Sequence, residues 1–287
     1  MPAPLLFVVS ALTQYVGAAV AVDLFARIAP ASVAWLRIAV AALVLVGWTR
    51  PWRTRGLWTW PTVRTAVLFG AVLAVMNAAF YVAIDTLPLG TAVALEFAGP
   101  VAVAAVTGRG WRDRAAIVVA AAGVVLLAGV SLDVGDDAAR GLVAIAVAAT
   151  CWALYIVLGR RVATAPTGGL TGLGVAMAAG SLVLAPFLAP GAAPVLGDAG
   201  LAALVVVVAV CSSVIPYGIE QVVLRRVTAA TFAVLLALLP ATAAVVGAVM
   251  LQQVPHGLEV VGLVLVSGAI ALTARTADAP EEAPPPA

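Results

Sequence analysis

Apolar residues run along this chain in ten continuous stretches, near 4–26, 31–48, 65–84, 89–107, 115–132, 139–158, 169–189, 200–221, 229–250 and 257–274, with short polar breaks between them. Each is about long enough to cross a hydrocarbon core of roughly 30 Å as a helix. The runs do not alternate apolar with polar, which excludes a transmembrane barrel and leaves a helix bundle as the way to satisfy the backbone in lipid. The expectation is an all-α integral membrane protein of ten transmembrane helices with no soluble domain. Composition agrees, since 64% of residues are hydrophobic and 10% charged, far from soluble averages.

The polar breaks carry the topology. All fifteen basic residues are arginine. With the N-terminus inside, twelve face the cytoplasm: Arg50, Arg53, Arg55, Arg64, Arg109, Arg112, Arg114, Arg160, Arg161, Arg225, Arg226 and Arg275. The outer loops then hold Arg27 and Arg140 with the acidic Asp85, Asp133, Asp136, Asp137, Asp198 and Glu259. By the bias of positive charge toward the cytoplasm, both termini are expected inside a plasma (inner) membrane crossed many times. Trp48, Trp52, Trp58 and Trp60 crowd the second-to-third loop, where an interfacial belt lies. The first 26 residues have no basic start and are too long for a signal peptide, so they read as an uncleaved helix. The Pro-rich residues 275–287 read as a disordered cytoplasmic tail.

The chain also repeats itself. A shift of 140 residues places Tyr15 on Tyr155, Thr91 on Thr231 and Pro100 on Pro240, and a shift of 139 places Gly123 and Gly129 on Gly262 and Gly268. Two halves of five helices follow, 1–134 and 135–274. Because five is odd, the second half runs through the membrane in the opposite sense, the inverted repeat of secondary transporters.

Against this apolar background a few polar residues stand out. Glu96 is the sole charge in the run from Leu89 to Val106, and a carboxylate in hydrocarbon costs about 2.5–3.5 kcal/mol even on insertion scales. It suits binding of an ammonium or carriage of a proton; the bland reading is a structural Glu bonded across a helix interface, next to the small Gly99. Asn77 and Tyr81 share one face of the third helix, available to substrate or to a neighbouring helix. Tyr15, Trp152 and Tyr155 suit an apolar cavity wall with polar tips, or plain core packing. Ser213, Pro216, Tyr217 and Glu220 are spaced along one face of the eighth helix, with Pro216 a candidate hinge and Glu220 near Arg225 and Arg226 as a salt-bridge alternative. Arg37 needs a partner, either Asp23 on the adjoining helix end or a substrate carboxylate. Cys151 and Cys211 suit packing rather than a disulfide, and the single histidine, His256, makes no metal site. No cofactor is expected.

The block from Met76 to Val103 (MNAAFYVAIDTLPLGTAVALEFAGPVAV), with RPWR at 50–53, CWALYIVLGRR at 151–161 and IPYGIE at 215–220, resembles the threonine/homoserine exporter group. That group lies in the EamA-type branch of the drug/metabolite transporter superfamily. The resemblance runs from the first helix to the tenth. It implies two EamA domains of five helices each and export of amino acids or similar small metabolites, driven by the proton gradient or by exchange. Two departures stand in the second half: Leu239 precedes Pro240, and Gln252-Gln253 stands where the family commonly has a Gly-Glu pair.

Taken together, these readings describe a secondary active transporter by alternating access. Its partners would be a small-molecule substrate, protons and the lipid bilayer, with a homodimer left open and no nucleic acid. Glu96 is the proton-coupling candidate; Glu96, Asn77, Tyr81, Tyr15, Trp152, Tyr155, Arg37, Tyr217 and Glu220 are the substrate-binding candidates. Export of drugs, nucleobases or other small solutes is the rival within carriers, and a sensor or scaffold subunit the rival outside them. There is no nucleotide-binding Gly-Lys-Ser/Thr loop for ATP-driven pumping and no nucleophile cluster for a membrane enzyme.

Overall fold

Prolines divide the helices of this protein. The computed structural model describes residues 3–54, 56–107, 111–132, 137–163, 169–224 and 235–274. Arg55, Arg109, Asp133, Asp136, Arg225, Arg226, Thr231, the start of the ninth run and the tail from Arg275 lie outside the described residues. Those described are helical without a strand: α1 (Ala3–Leu24), α2 (Pro30–Thr49), α3 (Trp60–Ile84), α4 (Leu89–Glu96), α5 (Ala98–Thr107), α6 (Trp111–Leu132), α7 (Ala138–Ala163), α8 (Leu170–Leu188), α9 (Ala199–Ala209), α10 (Ile215–Leu224), α11 (Leu239–Met250) and α12 (Gly257–Ala274). Pro30 and Pro61 sit in the first turns of α2 and α3, where a missing N–H is harmless. Deeper in a run the same residue breaks the ladder.

Pro100 cannot donate to the Glu96 carbonyl, and the fourth run, expected as one helix, divides at Phe97 into α4 and α5. Pro216 likewise leaves the Ser212 carbonyl without its donor. Here the chain widens into a π turn, Val210–Val214, between α9 and α10. The regular spacing expected from Ser213 to Glu220 is therefore offset by this turn. Pro240 stands at the second position of α11, and Ala237 and Leu238 form a turn before it.

Among the described residues seven helical segments are long and apolar enough to cross a membrane, and the segments Leu89–Val103, Leu239–Met250 and Gly257–Leu272 are shorter apolar helices. This is an integral membrane protein built from helices. Its outer faces carry bare apolar side chains such as Leu43, Val125 and Leu182, as lipid requires.

The helices interleave along the sequence. α3 packs on α7 and α8, α2 on α8, α6 on α12, α4 on α11, α5 on α7, and α1 on α9, the π turn, α10 and α11. Glycine allows the closest of these crossings. A side chain on Gly70 would collide with the Ala176 carbonyl, and one on Gly180 with the Gly70 carbonyl, so α3 and α8 touch backbone to backbone. Gly123 and Gly262 face each other in the same reciprocal way between α6 and α12, at 3.1 and 3.4 Å from each added carbon to the other's carbonyl oxygen.

At one end of the bundle, polar contacts join distant parts of the chain. Arg27 Nη2 lies 2.8 Å from Asp198 Oδ2, and Arg140 Nη1 lies 3.8 Å from Asp85 Oδ2. Gln253 Oε1 accepts the Leu89 N–H at 2.9 Å, capping α4. These are the loops that charge bias assigns to the outside. Asp198 also caps α9, accepting the Leu201 N–H at 3.0 Å. That bond, and then the Arg27 guanidinium, hold its carboxyl below the usual carboxylate range.

Two outcomes are expected in detergent. Gly70→Ala lowers stability by about 1–3 kcal/mol through overpacking, read from the thermal midpoint. Asp198→Asn lowers the midpoint at neutral pH. A depressed folded-state pKa stabilises above the unfolded value and is lost as pH falls through the folded one, so the gap between variant and wild type closes on acidification.

A charged and aromatic cluster at the helix breaks

Glu96 is the last residue of α4, half-buried, at the break that Pro100 imposes. Among the described residues, none donates a hydrogen bond to the carboxylate and no cation lies within 4.0 Å of it. The next residue, Phe97, is buried and meets the Trp152 ring edge-on, centroids 4.7 Å apart. This contact fixes the break against α7, on which α4 and α5 both pack.

Arg37 reaches the same region from α2. Only 6% exposed, it donates from Nη1 to the Tyr81 hydroxyl at 3.3 Å and lies over the Tyr81 ring, 4.8 Å from its centroid. Asp23, the sequence-based partner, is exposed, and no ion pair joins it to Arg37. The end of α1 instead sends Phe25 edge-on to Tyr81, at 5.8 Å. An aromatic ring lies over the guanidinium where the Asp23 alternative would have placed a carboxylate. The Nε of Arg37 is buried and has no partner among the described residues.

The charged groups act on one another through this space. The field of Arg37 falls on Glu96 and Tyr217; that of Glu96 on Tyr15, Cys151 and Tyr217; that of Glu220 on Tyr15, Tyr155 and Tyr217. α1, α2, α4, α7 and α10 thus contribute to one cluster. Tyr15 is buried within it, while Trp152, Tyr155, Tyr217 and Glu220 remain half-buried, with surface still open to a water-sized molecule. Tyr155 stacks on Phe69 of α3 at 4.7 Å.

Asn77 stands apart from the open side. Buried on α3, it donates to the Leu73 carbonyl of its own helix at 2.7 Å, and Tyr81 is fully buried against Arg37. Both back the cluster rather than line its open face. Arg225 and Arg226, the alternative partners of Glu220, lie outside the described residues. Sequence reading passed over Phe69, which nothing in the sequence sets apart, and Phe97, whose only signal is an aromatic ring at the middle of a run. Cys151, which the sequence assigns to packing, is a free, half-buried thiol that the field of Glu96 also reaches. Among the described residues no group of His, Cys, Asp and Glu could hold a metal.

Phe97→Ala is expected to cost about 3–5 kcal/mol of stability, and Phe97→Leu, which mainly loses the edge-to-ring contact, about 1 kcal/mol. Equilibrium unfolding in mixed detergent checks both.

Known proteins give this arrangement its context. The sequence profile of the EamA-like transporter family matches residues 139–275. The threonine/homoserine exporter RhtA of Salmonella typhimurium (strain LT2) is 36% identical over 252 residues, which is 86% of this chain and 82% of the relative. RhtA of Escherichia coli (strain K12) matches to the same extent. A solved structure described only as the crystal structure of a protein superposes with a TM-score of 0.60 at 19% identity, over 96% of this chain and 99% of its own. With a bundle of apolar helices around a charged centre, and relatives this similar over most of its length, the chain belongs to the EamA-like transporter family and is a membrane transporter, not an enzyme.

Proposed function

We propose that this protein is a secondary active exporter of amino acids resembling threonine and homoserine, working by alternating access in the plasma (inner) membrane with both termini in the cytoplasm. One observation carries the proposal: Glu96, an unpaired carboxylate, sits at a helix break within the bundle of a chain 36% identical to a threonine/homoserine exporter. A group in that position can give up a proton to bind an ammonium, or release the ammonium when a proton returns. Tyr15 on α1, Arg37 on α2, Cys151 on α7 and Tyr217 on α10 are the titratable or charged groups coupled to it.

Helix pairing supports two inverted halves, 1–134 and 135–274, of five spans each. Counting α4 with α5 and α9 with α10 as single broken spans, the five-span shift carries α1 to α7 and α3 to α9–α10. The packing of α3 on α7 then has its image in α1 against α9–α10, and that of α5 on α7 in α1 against α11. The pairs α2 with α8, α4 with α11 and α6 with α12 are their own images. Gly123 and Gly262, related by the 139-residue shift, meet each other in the last of these, as residues beside a two-fold axis do. The breaks before Pro100 and Pro240 correspond as well.

In this reading substrate enters from the cytoplasm past Glu220, Tyr217, Tyr155 and Trp152 and meets Glu96 and Tyr15, with Asn77 and Tyr81 as the wall behind. It leaves outside as a proton takes its place on Glu96. Exchange of conformation between the two halves, each taking up the packing of its two-fold counterpart, supplies the alternation.

Proteoliposomes loaded with labelled threonine, homoserine and other amino acids test this. Efflux of at least one amino acid is expected, faster under a proton gradient. Glu96→Gln, folded by thermal midpoint, is expected to lower it at least about tenfold and remove the gradient dependence. Efflux of drugs or nucleobases in place of amino acids would overturn the substrate assignment, and full, gradient-dependent efflux by Glu96→Gln would overturn the coupling.

A further inference from the structure

Two unpaired charges of opposite sign share the cluster. Arg37 is buried, yet no carboxylate of the described residues lies within 4.0 Å of it. Its Nη1 is committed to Tyr81, and the opposite edge of the guanidinium, Nε with Nη2, makes no hydrogen bond to a described residue. That edge presents two parallel N–H groups, the fork that grips a carboxylate. A guanidinium kept in apolar surroundings without a counter-ion is expensive. Here the Tyr81 ring holds it in place and leaves the fork free.

Glu96 is the complement. It feels the field of Arg37 without bonding to it, and Tyr217 feels both. Direct contact is absent, as a receptor for a doubly charged head requires. The nitrogen and carboxyl carbon on one α-carbon are about 2.5 Å apart, and each needs a charge-assisted bond of about 2.8 Å to its own pole.

We propose that Arg37 and Glu96 are the two poles of a receptor for the zwitterionic head of an α-amino acid, the free edge of Arg37 taking the α-carboxylate and Glu96 the α-ammonium. This rests on the amino-acid export reading and adds to it the reason for that substrate class. Selection acts on the head, so blocking either end of the substrate weakens recognition. An amine without a carboxylate leaves the buried fork of Arg37 unsatisfied, and an N-acylated acid leaves Glu96 so.

Competition against labelled amino-acid efflux from proteoliposomes tests the assignment, with threonine, threonine amide and N-acetylthreonine as competitors. Wild type is expected to prefer threonine over either blocked form by at least about tenfold, the scale of a hydrogen bond to a charged group. Arg37→Gln should erase the preference over the amide and keep that over the N-acetyl form. Glu96→Gln is read by direct binding of the same three compounds and should do the reverse. A merely structural role for either residue would weaken all competitors alike and leave the ratios unchanged, which overturns the proposal. If Arg37→Gln does not fold, Arg37→Lys keeps the charge without the fork; a fall in the acid-to-amide ratio supports the receptor and an unchanged ratio overturns it. Wild-type flux of amino acids without head-group discrimination defeats the receptor alone, whereas no amino-acid flux defeats the export reading with it.

Discussion

Hydrocarbon offers no partner to a backbone amide or carbonyl, and the structure follows from that constraint. It turns the described apolar runs into helix and makes an interior proline a local event, because the carbonyl that a proline orphans must sit within protein. In α4–α5 and α9–α10 those events fall at Glu96 and Ser212, facing other helices. Glu96 stands at the first of these breaks, and Tyr217 and Glu220 follow the second. The ladder of hydrogen bonds is already interrupted there, and polar surroundings are needed in any case.

Close helix approach is the second requirement. Lipid tails are as apolar as leucine, so burial alone does not drive helices together, and packing has to be tight to hold. The reciprocal contact of Gly70 with Gly180 provides that tightness where α3 crosses α8, and Gly123 with Gly262 where α6 meets α12. Arg27 with Asp198, Arg140 with Asp85 and Gln253 with the α4 N-terminus add bonds where water is at hand and charge is cheap to place.

How much of this could be read from the sequence depends on the range of the physics involved. The helical membrane class is a local property of apolar runs, and Glu96 stands out because nothing near it in the chain is charged. Gly123 and Gly262 were visible as a match at fixed offset, though not as partners. What failed was pairing. Asp23 is the nearest acid to Arg37 in the chain, but it ends on the surface while Tyr81, from a helix further along, covers the guanidinium. The division at Phe97 was legible in Pro100, four residues on from Glu96, but a continuous apolar run hides it. Phe69 carries no sequence signal that separates it from other core aromatics; only the approach of α7 makes it the bed for Tyr155.

The pairing of α6 with α12 has a consequence for how the chain comes to be. A ribosome delivers α6 well before α12, and the surface of Gly123 that receives Gly262 and Val266 lacks that partner until α12 arrives. The N-terminal segments likewise wait for α7 and α8 to cover α3, and for α10 and α11 to cover α1. Biogenesis is therefore not a sequence of finished domains. The early helices reside in the bilayer incomplete, and assembly closes only once α10, α11 and α12 have joined them.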